Sequence, residues 1–367
     1  MSNPIQSSEF KSFVLSKTPL IDVRAPVEFN KGAFPYSINL PLLNDVERHL
    51  VGIKYKTSGN KEAIILGHQL ISGEVKNSRL KAWLDFKELN QDAALYCFRG
   101  GQRSKISQEW INESSCNIVR LKGGYKAFRN YLMDEIKNAP NNFKAIILGG
   151  RTGSGKTILL NQIKNSIDLE AIANHRGSSF GRKTTAQPTQ INFENNLAYE
   201  LIEKIDKGYN YLIFEDEGKH VGNLYLPKEF AVYLSKAPLI VLESSFEERI
   251  EITFDEYIIK AQESYKNMFN ENSFDLWSKD IENAMFRIQK KLGSLRYKIV
   301  SDLFKNAVNI QNTNGTLDAY KQWIEYLLNE YYDPMYDYQL EQNKERILFR
   351  GSFEEITNYL NDLMLKK

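Results

Sequence analysis

Only two cysteines, Cys97 and Cys116, occur among the 367 residues, so a framework of disulfides does not hold this chain together. The sequence also lacks a run of about 18 apolar residues and any stretch that resembles a signal peptide. The net charge of +2 by itself gives no indication of nucleic-acid binding. Internal repeats and low-complexity segments are missing as well. These absences predict a globular cytoplasmic protein without a membrane partner. The length of 367 residues is enough for two or three domains.

Short apolar segments alternate with helical patterns, as is typical of a parallel α/β sheet. These segments are 20–23, 93–97, 118–121, 143–148, 211–214 and 237–242. A polar linker at 137–142 separates the first three from the rest, and the pattern becomes mostly helical from residue 246 onward. We predict an α/β fold in three parts. They are a parallel-sheet domain at 1–136, an α/β phosphate-loop domain at 143–245, and a mainly helical region at 246–367 packed on the second domain.

The second apolar segment ends at a cysteine that is followed by glycines and arginines. After Cys97 the chain reads Phe-Arg-Gly-Gly-Gln-Arg-Ser, which puts Arg99 and Arg103 around a Gly-Gly pair. Glycines let the backbone curl so that amide N–H groups point inward, and such a nest binds an anion beside the sulfur. We predict that Cys97 is catalytic and that Arg99 and Arg103 bind an anionic donor. Cys116 is predicted to be a packed thiol.

Two chemistries use a cysteine loop of this kind. The C-x5-R spacing of Cys97 and Arg103 is that of protein phosphatases, which also need a general-acid aspartate, and Asp22 is the early candidate. The segment 20–41, with Leu-Ile-Asp-Val-Arg-Ala-Pro-Val-Glu-Phe at its start, instead closely resembles the opening of a rhodanese domain. Leu-Lys-Gly-Gly-Tyr at 121–125 resembles its closing strand. The resemblance implies a rhodanese-like domain whose loop cysteine carries sulfur or selenium.

A phosphate loop of the nucleotide-binding type follows further along the chain. Residues 150–157, Gly-Arg-Thr-Gly-Ser-Gly-Lys-Thr, match G-x-x-x-x-G-K-T between a predicted strand and a predicted helix. Backbone amides of such a loop hold phosphate oxygens, the lysine neutralises them, and the threonine can ligate Mg²⁺. The predicted diphosphate-binding residues are Gly150, Gly153, Ser154, Gly155, Lys156 and Thr157.

Three consecutive acids, 215–217, follow the apolar segment 211–214. A carboxylate that directs a metal is expected at this place, and we predict Glu215 or Asp216 in that role, with Mg²⁺ as the candidate ion. A solvated turn is the alternative. The sequence shows neither a hydrolysis-sensing element nor a base-recognition motif, which favours a diphosphate other than ATP.

Positive charge is concentrated in two further segments. His175, Arg176 and Arg182 follow the predicted phosphate-loop helix, and the mainly basic segment 282–305 includes Lys290 and Lys291. Basic faces bind phosphates and make binding salt-dependent. We predict these five residues as contacts to a substrate or a nucleic-acid backbone. An exposed loop and a solvated helix surface remain the alternatives.

The order of these motifs resembles one enzyme family over nearly the whole chain. A rhodanese segment followed by a phosphate loop is the layout of tRNA 2-selenouridine synthases. Further segments similar to that family are 173–181, 187–190, 193–194, 215–217, 221–222, 226–227, 290–293 and 331–336. The family usually has serine and arginine after the acids, whereas this chain has Gly218 and Lys219, so we assign these two no role.

This resemblance implies a transferase that converts the wobble 2-thiouridine of tRNA into 2-selenouridine through S-geranyl-2-thiouridine. The implied co-substrates are geranyl diphosphate, bound by the phosphate loop, and selenophosphate, whose selenium Cys97 receives or delivers. The implied partners are tRNA and a supplier of selenophosphate. Two other classes remain open from the sequence. One is an ATP-dependent kinase or ATPase with a regulatory rhodanese domain, and the other is a non-catalytic tRNA- or anion-binding module.

Overall fold

The computed structural model describes residues 4–365, which form two compact units. Unit 1 consists of the chain up to Ala139 together with Pro188–Lys207. Unit 2 consists of Pro140–Gln187 together with the chain from Gly208 onward. The first change of unit, between Ala139 and Pro140, falls inside the segment that the sequence predicts as a linker.

Short strands and longer helices alternate along much of the chain. The strands are β1 (Leu20–Asp22), β2 (Ser37–Asn39), β3 (Ala94–Tyr96), β4 (Val119–Arg120), β5 (Lys144–Gly150), β6 (Ser166–Ile167), β7 (Tyr211–Glu215), β8 (His220–Val221), β9 (Leu224–Tyr225), β10 (Leu239–Leu242) and β11 (Ile347–Gly351). The helices are α1 (Phe10–Leu15), α2 (Pro26–Phe29), α3 (Asp45–Leu70), α4 (Gly73–Leu89), α5 (Gln102–Glu113), α6 (Gly124–Asn138), α7 (Lys156–Leu160), α8 (Leu169–Ile172), α9 (Gln190–Asp206), α10 (Lys228–Ser235), α11 (Phe246–Phe254), α12 (Lys260–Phe269), α13 (Ser273–Leu292), α14 (Ser294–Asn314), α15 (Ala319–Leu327), α16 (Asp333–Gln342) and α17 (Phe353–Leu365). A π-helical turn at Asp255–Ile259 joins α11 to α12, and another at Leu328–Tyr332 joins α15 to α16.

Unit 1 is built on a parallel sheet with the strand order β2-β1-β3-β4. The two central strands, β1 and β3, are buried along their whole length. Strands covered on both faces are apolar throughout rather than alternating, which explains why both were visible in the sequence. The carboxyl end of β3 leads directly into the cysteine loop.

Helix α9 belongs to unit 1 although its sequence lies between elements of unit 2. It packs on α1 and α6, and its Phe193 and Leu197 are fully buried there. Arg129 of α6 donates a hydrogen bond to Asn195 Oδ1 at 2.7 Å. We predicted this segment as part of a domain at 143–245. The structure places it in unit 1 because the apolar face of α9 is buried against the helices of that unit.

Unit 2 contains a second parallel sheet, with the strand order β11-β10-β5-β7-β6. Strand β11 comes from the region that the sequence predicts as mainly helical, and it forms one edge of this sheet beside β10. Ile356 and Leu360 of α17 cover that edge and belong to the same apolar core as β5 and β10. The phosphate loop begins at the carboxyl end of β5, and the three acids begin at the carboxyl end of the neighbouring strand β7.

The helices that follow β10 enclose a second core in unit 2. Trp277, Phe304 and Trp323 pack around each other there, with ring centroids 5.3–5.8 Å apart for the Trp277–Phe304 and Phe304–Trp323 pairs. The predicted α/β fold with a helical C-terminal part is confirmed. Within residues 4–365, none of the helices combines the length and the hydropathy that crossing a bilayer requires.

Candidate functional site

Cys97 lies at the carboxyl end of β3, where the loop to α5 begins. The residue is only 3% exposed, and its thiol donates to Ser104 Oγ at 3.2 Å. The backbone of the loop is fixed by α6, because Tyr125 N donates to the Cys97 carbonyl oxygen at 2.9 Å. Arg120 also donates, to the Gly100 carbonyl oxygen at 2.8 Å. The sulfur is therefore held on a rigid loop at the edge of the sheet.

The two arginines of the cysteine loop differ in what they contact. Arg103 donates to both carboxylate oxygens of Glu28, at 2.6 and 3.1 Å. Burial would raise the pKa of Glu28, but the pKa is lowered because Arg103, the Ala25 amide and Arg48 together outweigh burial. Arg99 is exposed, and its guanidinium lies 5.8 Å from the Phe98 ring centroid. Arg103 therefore supports the loop, whereas Arg99 is accessible to an anion.

Asp22, the candidate general acid of a phosphatase, is buried in an ion pair. Its carboxylate contacts Arg24 at 2.6 Å, and the two side chains are at most 3% exposed. The Arg24 guanidinium also lies 3.9 Å from the Tyr125 ring centroid. A carboxylate fixed in this way is not available to protonate a leaving group, which weakens the phosphatase alternative. Cys116 is partly buried against the core of unit 1, in line with its prediction as a packed thiol.

The phosphate loop of unit 2 connects β5 to the five-residue helix α7. Lys156 Nζ donates to the Gly150 carbonyl oxygen at 2.7 Å, and Thr157 Oγ1 donates to Glu215 Oε1 at 2.8 Å. The Ser154 hydroxyl is buried without a hydrogen-bond partner among the described residues. A buried hydroxyl normally has such a partner, and a bound phosphate oxygen would supply one.

Gly153 brings the phosphate loop into direct contact with α11. Its φ is +80°, and a Cβ there would overlap Thr253 Oγ1 and lie 2.6 Å from the Arg249 carbonyl oxygen. Arg249 Nε also donates to the Thr152 carbonyl oxygen at 2.9 Å. The Arg249 guanidinium is in turn held by both carboxylate oxygens of Asp333, at 2.5 and 2.9 Å. The helical part of unit 2 therefore fixes the conformation of the loop.

Three carboxylates meet next to Thr157. Oxygens of Glu170, Glu215 and Glu217 all lie within 4.8 Å of one another, and Glu215 Oε2 is buried without a partner in the described part of the chain. Burial, followed by the neighbouring carboxylates, raises the pKa of Glu170 to about 9 and that of Glu215 to about 8. Burial is also the main cause that raises the pKa of Glu217, to about 7. Oxygen ligands of this kind fit Mg²⁺.

Of the two acids that the sequence predicts as metal-directing, only Glu215 belongs to this group. Successive side chains of an extended segment point to opposite sides, and Asp216 is exposed and lies beside Gly149. Glu170, which lies in the short helix α8, was missed. No local signal marks it, because it reaches Glu215 only through the fold of unit 2.

The segment 175–182 folds back on itself over the three carboxylates. His175 and Arg182 form a β-bridge, and His175 N donates to the Glu170 carbonyl oxygen at 3.0 Å. At Gly177, whose φ is +65°, a Cβ would overlap Glu170 and lie 2.6 Å from Glu217 Oε1. His175 is 8% exposed, and burial followed by Arg182 lowers its pKa. The predicted basic loop therefore covers the acidic group.

Arg176 and Arg182 line a cavity of about 340 Å³ together with Arg287 of α13. The aromatic residues of the same cavity are Phe180, Tyr257, Tyr265 and Trp277. Arg287 was missed as an individual residue, although it lies in the basic segment 282–305. Lys290 and Lys291, which were predicted, are exposed at the end of α13 and are not among the described residues that line this cavity.

A parallel sheet that ends in a cysteine loop and a second parallel sheet that leads into a phosphate loop define a protein with two separate sites. A family model described as a rhodanese-like domain matches residues 7–131. A model described as the tRNA 2-selenouridine synthase AAA domain matches residues 143–367.

Curated relatives named tRNA 2-selenouridine synthase are similar over nearly the whole chain. The protein from Sulfurovum sp. is 62% identical, with 97% of this chain and 98% of that protein covered. The proteins from Hydrogenovibrio crunogenus and Pseudomonas syringae pv. syringae are 46% and 44% identical, each over 97% of this chain and 98% of the relative. The chain belongs to the tRNA 2-selenouridine synthase family. It is therefore an enzyme of tRNA modification, as predicted.

Proposed function

We propose that the protein replaces sulfur by selenium at C2 of the wobble 2-thiouridine of tRNA, through an S-geranyl intermediate. Geranyl diphosphate and selenophosphate are the co-substrates, and a partner enzyme supplies the selenophosphate. The observation that carries this function is that one chain of this family has both a cysteine loop held by hydrogen bonds and a phosphate loop that matches the whole motif. The protein acts in the cytoplasm, where its tRNA substrate is found.

The first step belongs to the phosphate loop. The base sulfur attacks C1 of geranyl diphosphate, the C1–O bond breaks, and diphosphate leaves with the electron pair. Lys156 and the amides of the loop stabilise the negative charge that develops on the leaving group. The buried Ser154 hydroxyl donates to a phosphate oxygen. The base loses its N3 proton to solvent water in the same step, which leaves a neutral S-alkyl product.

Glu215, Thr157 and the carboxylates of Glu170 and Glu217 are the residues that would hold Mg²⁺. Bound Mg²⁺ would supply positive charge against the leaving diphosphate. Glu215 is best suited as a direct ligand because it is buried, already contacts Thr157, and has one oxygen that no described residue pairs with.

The second step belongs to the cysteine loop. The selenium of selenophosphate attacks C2 of the alkylated base, the C2–S bond breaks, and geranylthiolate leaves with the electron pair and takes a proton from water. Water then cleaves the Se–P bond, so that phosphate is released and selenium stays on C2. Cys97 delivers the selenium by holding selenophosphate beside C2, with no S–Se bond and no change of oxidation state, and the accessible Arg99 binds the anionic selenophosphate. The base must leave the anticodon stack to reach either site, as is general for enzymes that act on a base. Arg176, Arg182 and Arg287 are suited to contact the tRNA backbone.

The test is an incubation of the full chain with 2-thiouridine-containing tRNA and selenophosphate, with and without geranyl diphosphate. Mass spectrometry of the wobble nucleoside is the readout. We expect a geranyl adduct and then the mass of 2-selenouridine, both dependent on geranyl diphosphate. An unchanged nucleoside, together with ATP hydrolysis that does not require tRNA, would contradict this function and favour the kinase or ATPase alternative. Equal binding of tRNA with and without the wobble sulfur, again without reaction, would favour a non-catalytic binding module.

A further inference from the structure

We propose that the hydrocarbon chain of the diphosphate substrate binds in an apolar cavity next to the phosphate loop, between α11, α15 and the π-helical turns that follow them. This inference rests on the proposed function, because it assumes that the loop holds a diphosphate ester. It goes further by naming the residues that bind the chain and select its length.

The space along the lining of this cavity amounts to about 300 Å³, part of which is open to solvent. Its lining begins at the phosphate loop with Thr152 and Thr253 and continues with Trp323, Leu327 and Leu328. Among residues 4–365, no charged side chain lines it. A chain that starts at a diphosphate in the loop would therefore enter an apolar environment at once.

The few polar groups of the lining do not suit a nucleoside. A base and a ribose need several hydrogen-bond partners when they are buried. Tyr257, one of the polar lining residues, already pairs with Ser178 at 2.8 Å. The Thr253 hydroxyl and the Trp323 indole N–H have no partner among the described residues, and Thr253 lies against Gly153 at the end where the phosphate would be. A ligand with an apolar chain and one anionic end fits a lining whose polar groups are few.

Both π-helical turns contribute to the same cavity. Tyr257 belongs to the turn at Asp255–Ile259, and Leu328 and Tyr332 belong to the turn at Leu328–Tyr332. A π-helical turn widens the backbone by one residue and is frequent at functional sites. Two such turns that line one cavity beside a phosphate loop are an observation independent of its polarity.

The apolar cavity is also the neighbour of the arginine-lined cavity. Phe180 and Tyr257 line both of them. A chain bound in the first cavity would therefore lie beside the arginines that are suited to hold the tRNA backbone.

The first measurement uses the wild-type full chain and needs no variant. We compare the affinities of inorganic pyrophosphate, dimethylallyl diphosphate, geranyl diphosphate and farnesyl diphosphate by calorimetry. Each buried methylene favours binding by about 0.8 kcal/mol, so we expect geranyl diphosphate to bind at least about tenfold more tightly than pyrophosphate. Equal affinities for these two ligands would overturn the proposal, because the chain would then contribute nothing.

The second measurement uses a pair of matched variants. Leu327 and Leu292 are each 4% exposed in the same helical core, but only Leu327 lines the cavity. We expect Leu327→Ala to enlarge the cavity and raise the affinity for farnesyl relative to geranyl diphosphate about fivefold. Leu292→Ala should leave this ratio unchanged. Affinity for pyrophosphate reports whether each variant is folded.

The outcomes separate this inference from the proposed function. If the wild-type chain binds none of the diphosphates and does not alkylate the tRNA, the proposed function fails and the inference fails with it. If the tRNA is alkylated but Leu327→Ala and Leu292→Ala leave the same chain-length preference as the wild type, only the inference is overturned.

Discussion

Glu170, Glu215 and Glu217 share a buried volume in which ionised carboxylates repel one another, and this makes unit 2 sensitive to pH. Their pKa values are raised to about 9, about 8 and about 7, above the ordinary value of 4.5. The folded state therefore holds more protons than the unfolded state between about pH 4.5 and 9. We expect the free energy of unfolding of the metal-free protein to fall as pH rises through this window.

Hydrogen exchange of peptides from β5 and β7 at pH 5.5 and pH 8.5 measures this change, and Glu170→Gln is the matched variant. Glutamine keeps the size of the side chain but removes one of the mutually repelling charges. The variant should therefore show a smaller loss of protection at pH 8.5 than the wild type. Mg²⁺ should restore protection in the wild type at pH 8.5, where the carboxylates are ionised. An equal loss in both proteins would mean that the carboxylates are not the cause.

Replacing Arg99 should mainly affect the KM for selenophosphate, whereas replacing Arg103 should mainly affect stability. Arg99→Ala removes an exposed cation, so stability should change by less than about 0.5 kcal/mol while the KM for selenophosphate rises about tenfold. Arg103→Ala breaks a half-buried pair with Glu28 and should cost about 1–3 kcal/mol of stability. Steady-state kinetics and thermal unfolding of both variants are the measurements. If the KM for selenophosphate rose in Arg103→Ala but not in Arg99→Ala, Arg103 and not Arg99 would be the residue that binds the anion.

Strand β11 forms an edge of the sheet of unit 2, and helix α17 packs on that sheet. Their contribution to stability can be measured by replacing one aliphatic residue of each element. Ile356 is fully buried, whereas Leu348 on the edge strand is 52% exposed. Ile356→Ala should cost about 2–5 kcal/mol, and Leu348→Ala less than about 0.5 kcal/mol. Hydrogen exchange of β10 and β5 peptides reports the free energy of opening for each variant. Similar protection in both would show that α17 is not part of this core.

The elements that sequence predicted well are those whose signal is local. Strands β3, β5 and β7 are buried on both faces, so they read as apolar runs, and Cys97, the phosphate loop and Glu215 lie at their carboxyl ends. Strand β11 was missed because it contains only five residues, two of them exposed, within a helical region. Helix α9 lies between elements of unit 2 in the sequence, and no local pattern states that its apolar face packs against unit 1.

The site within unit 2 was predicted only in part for the same reason. Glu170 and Arg287 reach the phosphate loop region through tertiary folding, and neither belongs to a motif. The π-helical turns are set by how neighbouring helices pack and have no signature in hydrophobic periodicity. The cavity that they line therefore could not be distinguished in the sequence from ordinary core.

At the scale of the whole molecule, the cysteine loop and the phosphate loop belong to different units, so their activities should be separable by mutation. Cys97→Ala should abolish incorporation of selenium and leave S-geranylation intact, with accumulation of the geranylated nucleoside. Lys156→Ala should weaken binding of geranyl diphosphate and prevent both products. Mass spectrometry of the wobble nucleoside distinguishes these patterns. Loss of geranylation in Cys97→Ala would contradict the division of labour between the units.

A mixture of the two variants tests whether the geranylated tRNA can pass between molecules. The intermediate is a complete tRNA whose modified base is covalently stable, so it can leave one molecule and bind another. We therefore expect Cys97→Ala and Lys156→Ala together to restore 2-selenouridine, although neither variant forms it alone. The control is the double variant at the same total concentration, which should form none. A mixture that accumulates only the geranylated nucleoside would mean that each tRNA must complete both steps on one molecule.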